Sequence, residues 1–199
     1  MGSHQLIEGQ FPVLVTAPHA VAHERDGKMR FAEPATAWLA QQLAERCGAT
    51  ALIKTDEDTV DPNADESSPF RDQAVALVAE TGIRAGIDLH QMSSEREDQI
   101  ILGTGRGRNI HRLWGFRDIV VTEFNAVGIS VLVDEIFPAM GEYRVSSDVS
   151  RRTGIPYVQI EINSALVGDS QREVVCQALE KIVSRLPAEL PREANEEER

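Results

Sequence analysis

The chain has 199 residues, a mass of 21.9 kDa, 42% hydrophobic and 26% charged residues, and a formal net charge of −12. A chain of this length fits one domain that buries about 70% of its unfolded surface, so no covalent staples are needed. The acidic balance argues against a nucleic-acid partner, which needs clustered Lys and Arg. Two cysteines, Cys47 and Cys176, exclude a disulfide scaffold and a Cys-rich zinc site. No apolar run reaches about 18 residues, the length of a membrane span.

Met1–Gln5 lacks the basic and apolar regions of a signal peptide. The expected compartment is therefore the cytoplasm. Gly2-Ser3-His4 has the look of a cloning remnant, and His4 is given no role. Phe11 to Ala17 is a short apolar, β-branched run that predicts a buried strand ending at Pro18-His19. His23 to Arg30 reads as a polar loop, and His23 has neighbours typical of a surface. Glu33-Pro34-Ala35-Thr36 opens a helical pattern, with Pro34 in the first turn where its missing N–H is harmless. Trp38, Leu39, Leu43 and Cys47 continue at helical spacing, and Gly48 is a natural stop.

Ala49 to Lys54 predicts a second strand, and the acidic, turn-rich stretch Asp56 to Pro69 a long loop. Phe70 to Glu80 returns to helical spacing, with Gly82 ending it. Strands are expected at Ile83–Leu89, which ends at His90, at Gln99–Gly103, at Ser130–Val133 and at Tyr157–Ile162. Asn109 to Asn125 mixes helix and loop signals, and Arg172 to Leu186 predicts a last helix. The tail, residues 187–199, has two prolines and a Glu196-Glu197-Glu198 run and is expected to be a disordered acidic segment. Strands alternate with helices, and several strands are solidly apolar. That pattern predicts an α/β sandwich with a mostly parallel, buried sheet, in a single domain over residues 1–186.

The chemistry-bearing residues are distinguished by position. His19 follows one predicted strand, His90 ends another, and Glu161 lies near the end of a third. In open α/β sheets ligands bind at the carboxyl ends of strands, so residues distant in sequence meet on one rim. Two histidines and a carboxylate with an open fourth position are the ligand set of a catalytic zinc site. Zinc lowers the pKa of bound water to about 7, and a carboxylate off the metal must then carry protons. Glu161 sits in the apolar run Val158-Gln159-Ile160-Glu161-Ile162, where an unused carboxylate is costly. Each residue also has a bland reading. The histidines fit structural hydrogen-bonding roles, Glu161 a solvated edge, and Glu33 a helix-start acid favoured by the macrodipole. Gly103-Thr104-Gly105-Arg106-Gly107-Arg108 is Gly-rich and basic and offers a reading of another class. It would make the chain a non-catalytic anion- or phosphate-binding domain that cradles its ligand with backbone N–H groups.

Four motifs in order, Pro18-His19-Ala20, Asp61-Pro62-Asn63, Ile87-Asp88-Leu89-His90 and Ile160-Glu161-Ile162-Asn163, resemble the N-formylglutamate amidohydrolase family. That family is similar in turn to zinc carboxypeptidases, succinylglutamate desuccinylases and phage poly-γ-glutamate hydrolases. The resemblance runs from about Phe11 to Leu186. It implies a phosphorylase/hydrolase-like three-layer α/β/α sandwich with a mostly parallel mixed sheet, and one Zn2+ per chain. By motif, His19 and His90 take the imidazole positions. The acidic ligand falls to Glu33 at the helix start, with Glu24 as a rival. Glu161 takes the position of the general base, and Asn163 that of the family's Glu-x-Asn pair. Asn63 occupies the place of an Asn-Arg dipeptide, but Ala64 follows it, so Arg71 or Arg144 would supply the missing positive charge and grip a substrate carboxylate or stabilise an oxyanion.

The implied reaction is zinc-dependent hydrolysis of an N-acyl, formyl-type amide of a small carboxylate-bearing amino acid. A zinc carboxypeptidase or a poly-γ-glutamate-type peptide hydrolase is the alternative. The implied partner is a small N-acyl amino acid or short peptide, with neither nucleic acid nor membrane.

Overall fold

The computed structural model describes residues 4–56, 60–168 and 171–190. Its elements in chain order are β1 (His4–Ile7), β2 (Phe11–Ala17), β3 (His23–Arg25), β4 (Lys28–Arg30), α1 (Pro34–Cys47), β5 (Ala49–Lys54), α2 (Pro69–Glu80), β6 (Ala85–Met92), β7 (Ile100–Gly103), α3 (Trp114–Ala126), β8 (Val131–Val133), α4 (Val145–Thr153), β9 (Tyr157–Asn163) and α5 (Arg172–Arg185). Seven strands form one sheet in the order β1-β5-β2-β6-β9-β7-β8. The central neighbours β5, β2, β6 and β9 run parallel, while β1 and β7 run antiparallel to their partners β5 and β9.

Strand alternation sorts the side chains into two layers. Val13, Val15 and Ala17 of β2, Ile87 and Leu89 of β6, and Val158, Ile160 and Ile162 of β9 face α1, α3 and α5 in the larger core. Each fully buried Val, Leu or Ile side chain here contributes about 1.5–3 kcal/mol. Leu14, Leu52 and Tyr157 face the other way, onto Phe70 and Ala74 of α2 and Val145 and Val149 of α4. The result is the expected three-layer sandwich. The same alternation sends Thr16, Asp88, His90, Gln159 and Glu161 to the α2/α4 face, which turns polar towards the carboxyl ends of β2, β6 and β9.

Local chemistry explains the element ends. Gly48 caps α1 in the left-handed region at φ 70°, its N–H bonding the Ala44 carbonyl. The Ser68 hydroxyl accepts from Arg71 N–H at the start of α2.

Several segments depart from the sequence reading. Residues 23–30, expected as a loop, form the hairpin β3–β4 around Asp26 and Gly27, both with positive φ. That is the backbone of the tight hairpin turn that Asp-Gly favours. His4, given no role, lies in edge strand β1, its Nδ1 2.9 Å from Gln73 Oε1. Residues 187–189 belong to a 3-10 turn, and Leu190 packs against the core, so this part of the predicted tail is ordered. Residues 191–199 lie outside the described residues. Helix α4 was not foreseen. Among the described residues no helix is long and apolar enough to cross a membrane.

Candidate metal centre

His19 stands just beyond β2, and the chain makes the excursion of the β3–β4 hairpin before returning at Glu33. The Glu33 N–H donates to the His19 carbonyl at 2.8 Å, which closes the excursion and brings the two residues together. Glu33 occupies the N-cap position of α1, but its side chain does not cap the helix; Thr36 holds the Glu33 carbonyl with both its N–H and its hydroxyl. The carboxylate is free to reach the sheet. Its Oε2 accepts from Gln91 N–H at 2.9 Å and lies 3.4 Å from His90 Nδ1, while Oε1 lies 3.3 Å from His19 Nδ1.

The two Nδ1 atoms are 3.2 Å apart. His19, Glu33 and His90 thus form a group whose ligand atoms all lie within 4.8 Å of one another. Tetrahedral zinc with bonds of about 2.0–2.1 Å to nitrogen separates two ligand nitrogens by about 3.3 Å, so the donor set fits the ion. The Glu33 carboxylate joins the imidazoles; that of Glu24 does not, because Glu24 alternates with the inward-facing His23 and Arg25 on β3.

Each imidazole turns its other nitrogen to a buried carboxylate. His19 Nε2 is 2.9 Å from Asp61 Oδ1, and His90 Nε2 is 3.1 Å from Asp88 Oδ2. Such partners fix the tautomer with the hydrogen on Nε2 and leave Nδ1 as the donor to a cation. Asn63 Nδ2 also lies 2.8 Å from His90 Nε2. One nitrogen cannot both donate to Asp88 and accept from Asn63, and a cation on Nδ1 selects the Asp88 bond. Asp88 is anchored in turn: Thr16 Oγ1 donates to its Oδ1 at 2.7 Å, and Tyr157 OH donates to Thr16 at 3.2 Å. The Tyr157 ring fits because Gly86 carries no side chain; a Cβ there would lie 2.1 Å from Tyr157 Cε2.

Asp61 holds more than His19. Arg25 Nε donates to its Oδ2 at 2.5 Å, and Asn63 N–H to its Oδ1 at 2.8 Å. His23, expected on the surface, is buried and stacks on His19 with ring centroids 3.9 Å apart. His19, His23 and Asp61 form a second close group, but the Arg25 guanidinium on Asp61 opposes a cation there.

Burial disfavours the charged forms of His19 and His90, yet carboxylates outweigh it and raise both: Asp61 and Glu33 act on His19, and Asp88 and Glu33 on His90. Burial opposes ionisation of Glu33 too, but hydrogen bonds and charge from His19 and His90 pull it down to about 2. His23 is pushed down to about 4 by burial and by the neighbouring His19 charge, so it is neutral at pH 7. Glu161 is raised by burial, which, with smaller upward contributions from the Glu33 and Asp88 charges, exceeds the opposing pull of His90 and His19.

Glu161 sits beside His90 across the β6–β9 pair and lines the same cavity of about 350 Å³. Gln159 Nε2 donates to its Oε1 at 2.9 Å. Asn63 and Arg144 also line this cavity, and Arg144 Nη1 donates to the Asn63 carbonyl at 2.9 Å. Arg25, which sequence reasoning missed, lines it as well; its proximity adds to burial in lowering the Arg144 pKa. Arg25 Nη2, Gln91 Oε1 and Gln159 Oε1 are buried without a protein hydrogen-bond partner.

The structure does not bring Arg71 or Asn163 to this cavity. Arg71 is buried, its donors taken by Asp148 and by the carbonyls of Pro62, Asp65, Glu66 and Tyr143. Asn163 ties down the β6–β7 loop by donating to the Arg96 and Asp98 carbonyls. The Gly-rich basic loop does not cradle an anion with its main chain. The N–H groups of Gly105, Gly107, Arg108, Asn109, His111 and Arg112 all bond within the protein.

No family model matches the chain, and no curated protein matches it. Solved structures do. A bacteriophage poly-gamma-glutamate hydrolase is similar at 15% identity and a TM-score of 0.62, over 93% of this chain and 89% of that one. A gene product of Agrobacterium tumefaciens is similar at 13% identity and a TM-score of 0.68, over 94% of each. A metallo-carboxypeptidase from Burkholderia cenocepacia is similar at 9% identity and a TM-score of 0.56, over 89% of this chain and 56% of that one. The chain has the mixed α/β fold of the metallo-carboxypeptidase-like hydrolases.

Proposed function

We propose that this protein is a zinc-dependent amidohydrolase cleaving the N-acyl amide of a small amino acid or short peptide that carries a carboxylate, in the manner of N-formylglutamate amidohydrolases. The observation that carries this reading is the convergence of His19 Nδ1, His90 Nδ1 and Glu33, each imidazole backed by a buried carboxylate. His19, Glu33 and His90 would hold the ion, which when bound supplies Lewis acidity to a water and to the substrate carbonyl.

The remaining steps belong to side chains. Glu161 stands outside the ligand group, held by Gln159, and its raised pKa suits it to take a proton from the attacking water and return it to the leaving nitrogen. Arg144 and Arg25 place two positive charges in the cavity for a substrate carboxylate or a developing oxyanion. Asn63 positions this wall, its Oδ1 accepting from Val145 N–H at 2.6 Å. Arg71 and Asn163 support the loops from outside the cavity.

A poly-γ-glutamate-type or carboxypeptidase-type peptide hydrolase is the second reading, favoured by the near full-length likeness to the phage poly-gamma-glutamate hydrolase. Zinc-loaded protein assayed against N-formyl, N-acetyl and N-succinyl amino acids and short peptides separates the two. Turnover of an N-acyl amino acid supports the first reading, and turnover of peptides alone the second. Glu161→Gln is expected to keep its zinc and lose about 10²–10⁴-fold in kcat; unchanged turnover would remove Glu161 as the base.

A further inference from the structure

Residues 105–112 read Gly-Arg-Gly-Arg-Asn-Ile-His-Arg, three arginines and no acid in a chain of net charge −12. The loop is rigid and unusual. Gly105, Arg106, Gly107, His111 and Arg112 all have φ between 48° and 84°, the left-handed region that non-glycine residues avoid. It is pinned from several sides. Asn109 Nδ2 donates to the Ala139 carbonyl at 3.0 Å, and the Asn109 carbonyl accepts from Tyr157 N–H and from the Ser150 hydroxyl, each at 2.8 Å.

This platform puts Arg108 and His111 on the wall of a cavity of about 740 Å³, with Arg151 of α4 also lining it. Arg151 is committed to Asp148, and His111 Nε2 is 3.1 Å from the Ser150 hydroxyl. Arg108 makes no ion pair among the described residues; its guanidinium has a weak contact, with Nη2 4.0 Å from Met140 Sδ. Glu142 is the acid among the lining residues, and Arg108 is the arginine there that has no ion pair among the described residues. Ala139 and Met140 line both this cavity and the one holding His19, Glu33 and His90, so the two adjoin.

We propose that this second cavity is a substrate subsite, in which Arg108 binds a carboxylate remote from the scissile amide. The preferred substrate is then longer than a single acyl-amino acid: an acidic peptide or peptide-like chain crossing Met140 from one cavity to the other. A guanidinium without a carboxylate partner matches such a group through two parallel hydrogen bonds. Recognition runs through side chains, because the main-chain N–H groups of Gly105, Gly107, Arg108, Asn109, His111 and Arg112 are bonded internally. The assignment of the scissile amide to the first cavity rests on the hydrolase reading above; the anion site itself does not.

The test is binding. Fluorescein-labelled triglutamate and triglutamine peptides are titrated by anisotropy against the zinc-loaded full chain carrying Glu161→Gln, which prevents turnover. Triglutamate is expected to bind at least tenfold tighter than triglutamine, and adding Arg108→Glu to abolish that difference. Arg108→Gln, the milder change, should abolish most of it and serves if the charge reversal disturbs folding. Equal affinity for the two peptides, or a preference untouched by either Arg108 change, overturns the subsite. An Arg108-dependent preference in a protein whose wild type cleaves no amide would sink the hydrolase reading and leave the anion site standing.

Discussion

Thr16→Val probes the scaffold behind the candidate metal centre without touching a proposed ligand. Thr16 Oγ1 donates to Asp88 Oδ1 at 2.7 Å and accepts from Tyr157 OH at 3.2 Å, and all three residues are fully buried. Valine fills the same space but removes both bonds. The lost bond to a charged acceptor is worth about 1.5–3 kcal/mol, and the Tyr157 hydroxyl left buried without its acceptor costs about 1–3 kcal/mol more. The metal-free variant should therefore be destabilised by about 3 kcal/mol or more in urea unfolding. Asp88, freed on one side, orients His90 less firmly, and zinc affinity should fall about 10–100-fold in competition with a chromophoric chelator. Tyr157→Phe leaves the Thr16–Asp88 bond intact and should lose less affinity than Thr16→Val. A Thr16→Val protein with wild-type zinc affinity and wild-type urea midpoint would show that Thr16 does not hold Asp88 behind His90.

The arginines should separate by phenotype. Arg71→Ala strips donors from four carbonyls and should cost about 3 kcal/mol or more of stability, read by urea unfolding. Arg144→Ala removes a single donor, to the Asn63 carbonyl, and should cost only about 1 kcal/mol while raising KM about tenfold or more; the opposite pattern would reverse the two assignments. Titration supplies another check. His19 and His90 lie above their ordinary value of 6.5, so their stabilisation of the metal-free protein is complete below pH 6.5 and fades as pH rises through the folded values. Glu33 contributes above its ordinary 4.5, and its contribution is lost as pH falls towards about 2. At pH 6 both imidazoles carry protons that zinc must displace, so calorimetry in buffers of different ionisation enthalpy should find up to two protons released per ion. No release at that pH would show that the imidazoles are not the ligands.

The parts of the fold legible in the sequence were those whose signal is local. Strands β2 and β5 are largely apolar runs because helices cover both faces of the sheet there. His19 and His90 stood out because strand ends bring distant residues to one rim. Glu33 was legible as a candidate ligand because the family resemblance calls for an acid at a helix start, where Glu33 stands and Glu24 does not. What was missed depends on tertiary partners. The β3–β4 hairpin carries Asp26-Gly27, a strong turn signal, but its flanking residues Glu24, Arg25, Lys28 and Arg30 show no apolar alternation. His23 and Arg25 were lost with it. Asp61 was visible as part of a motif, but nothing in the sequence shows that it gathers His19, Arg25 and the Asn63 N–H. Arg71 looked free because the carbonyls that consume its donors come from loops on either side of α2 and from Tyr143, far along the chain. Helix α4 is short and largely polar, with Val145 and Val149 its apolar anchors, too few for a period to emerge.

X-ray absorption of the zinc-loaded protein reads out whether His19, Glu33 and His90 share one ion. One zinc per chain is expected, in a nitrogen and oxygen shell with the outer scattering of two imidazoles, and that zinc is expected to be lost in His90→Ala. A protein that takes up no zinc, a shell containing sulfur from Cys47 or Cys176, or full occupancy in His90→Ala would contradict that shared site.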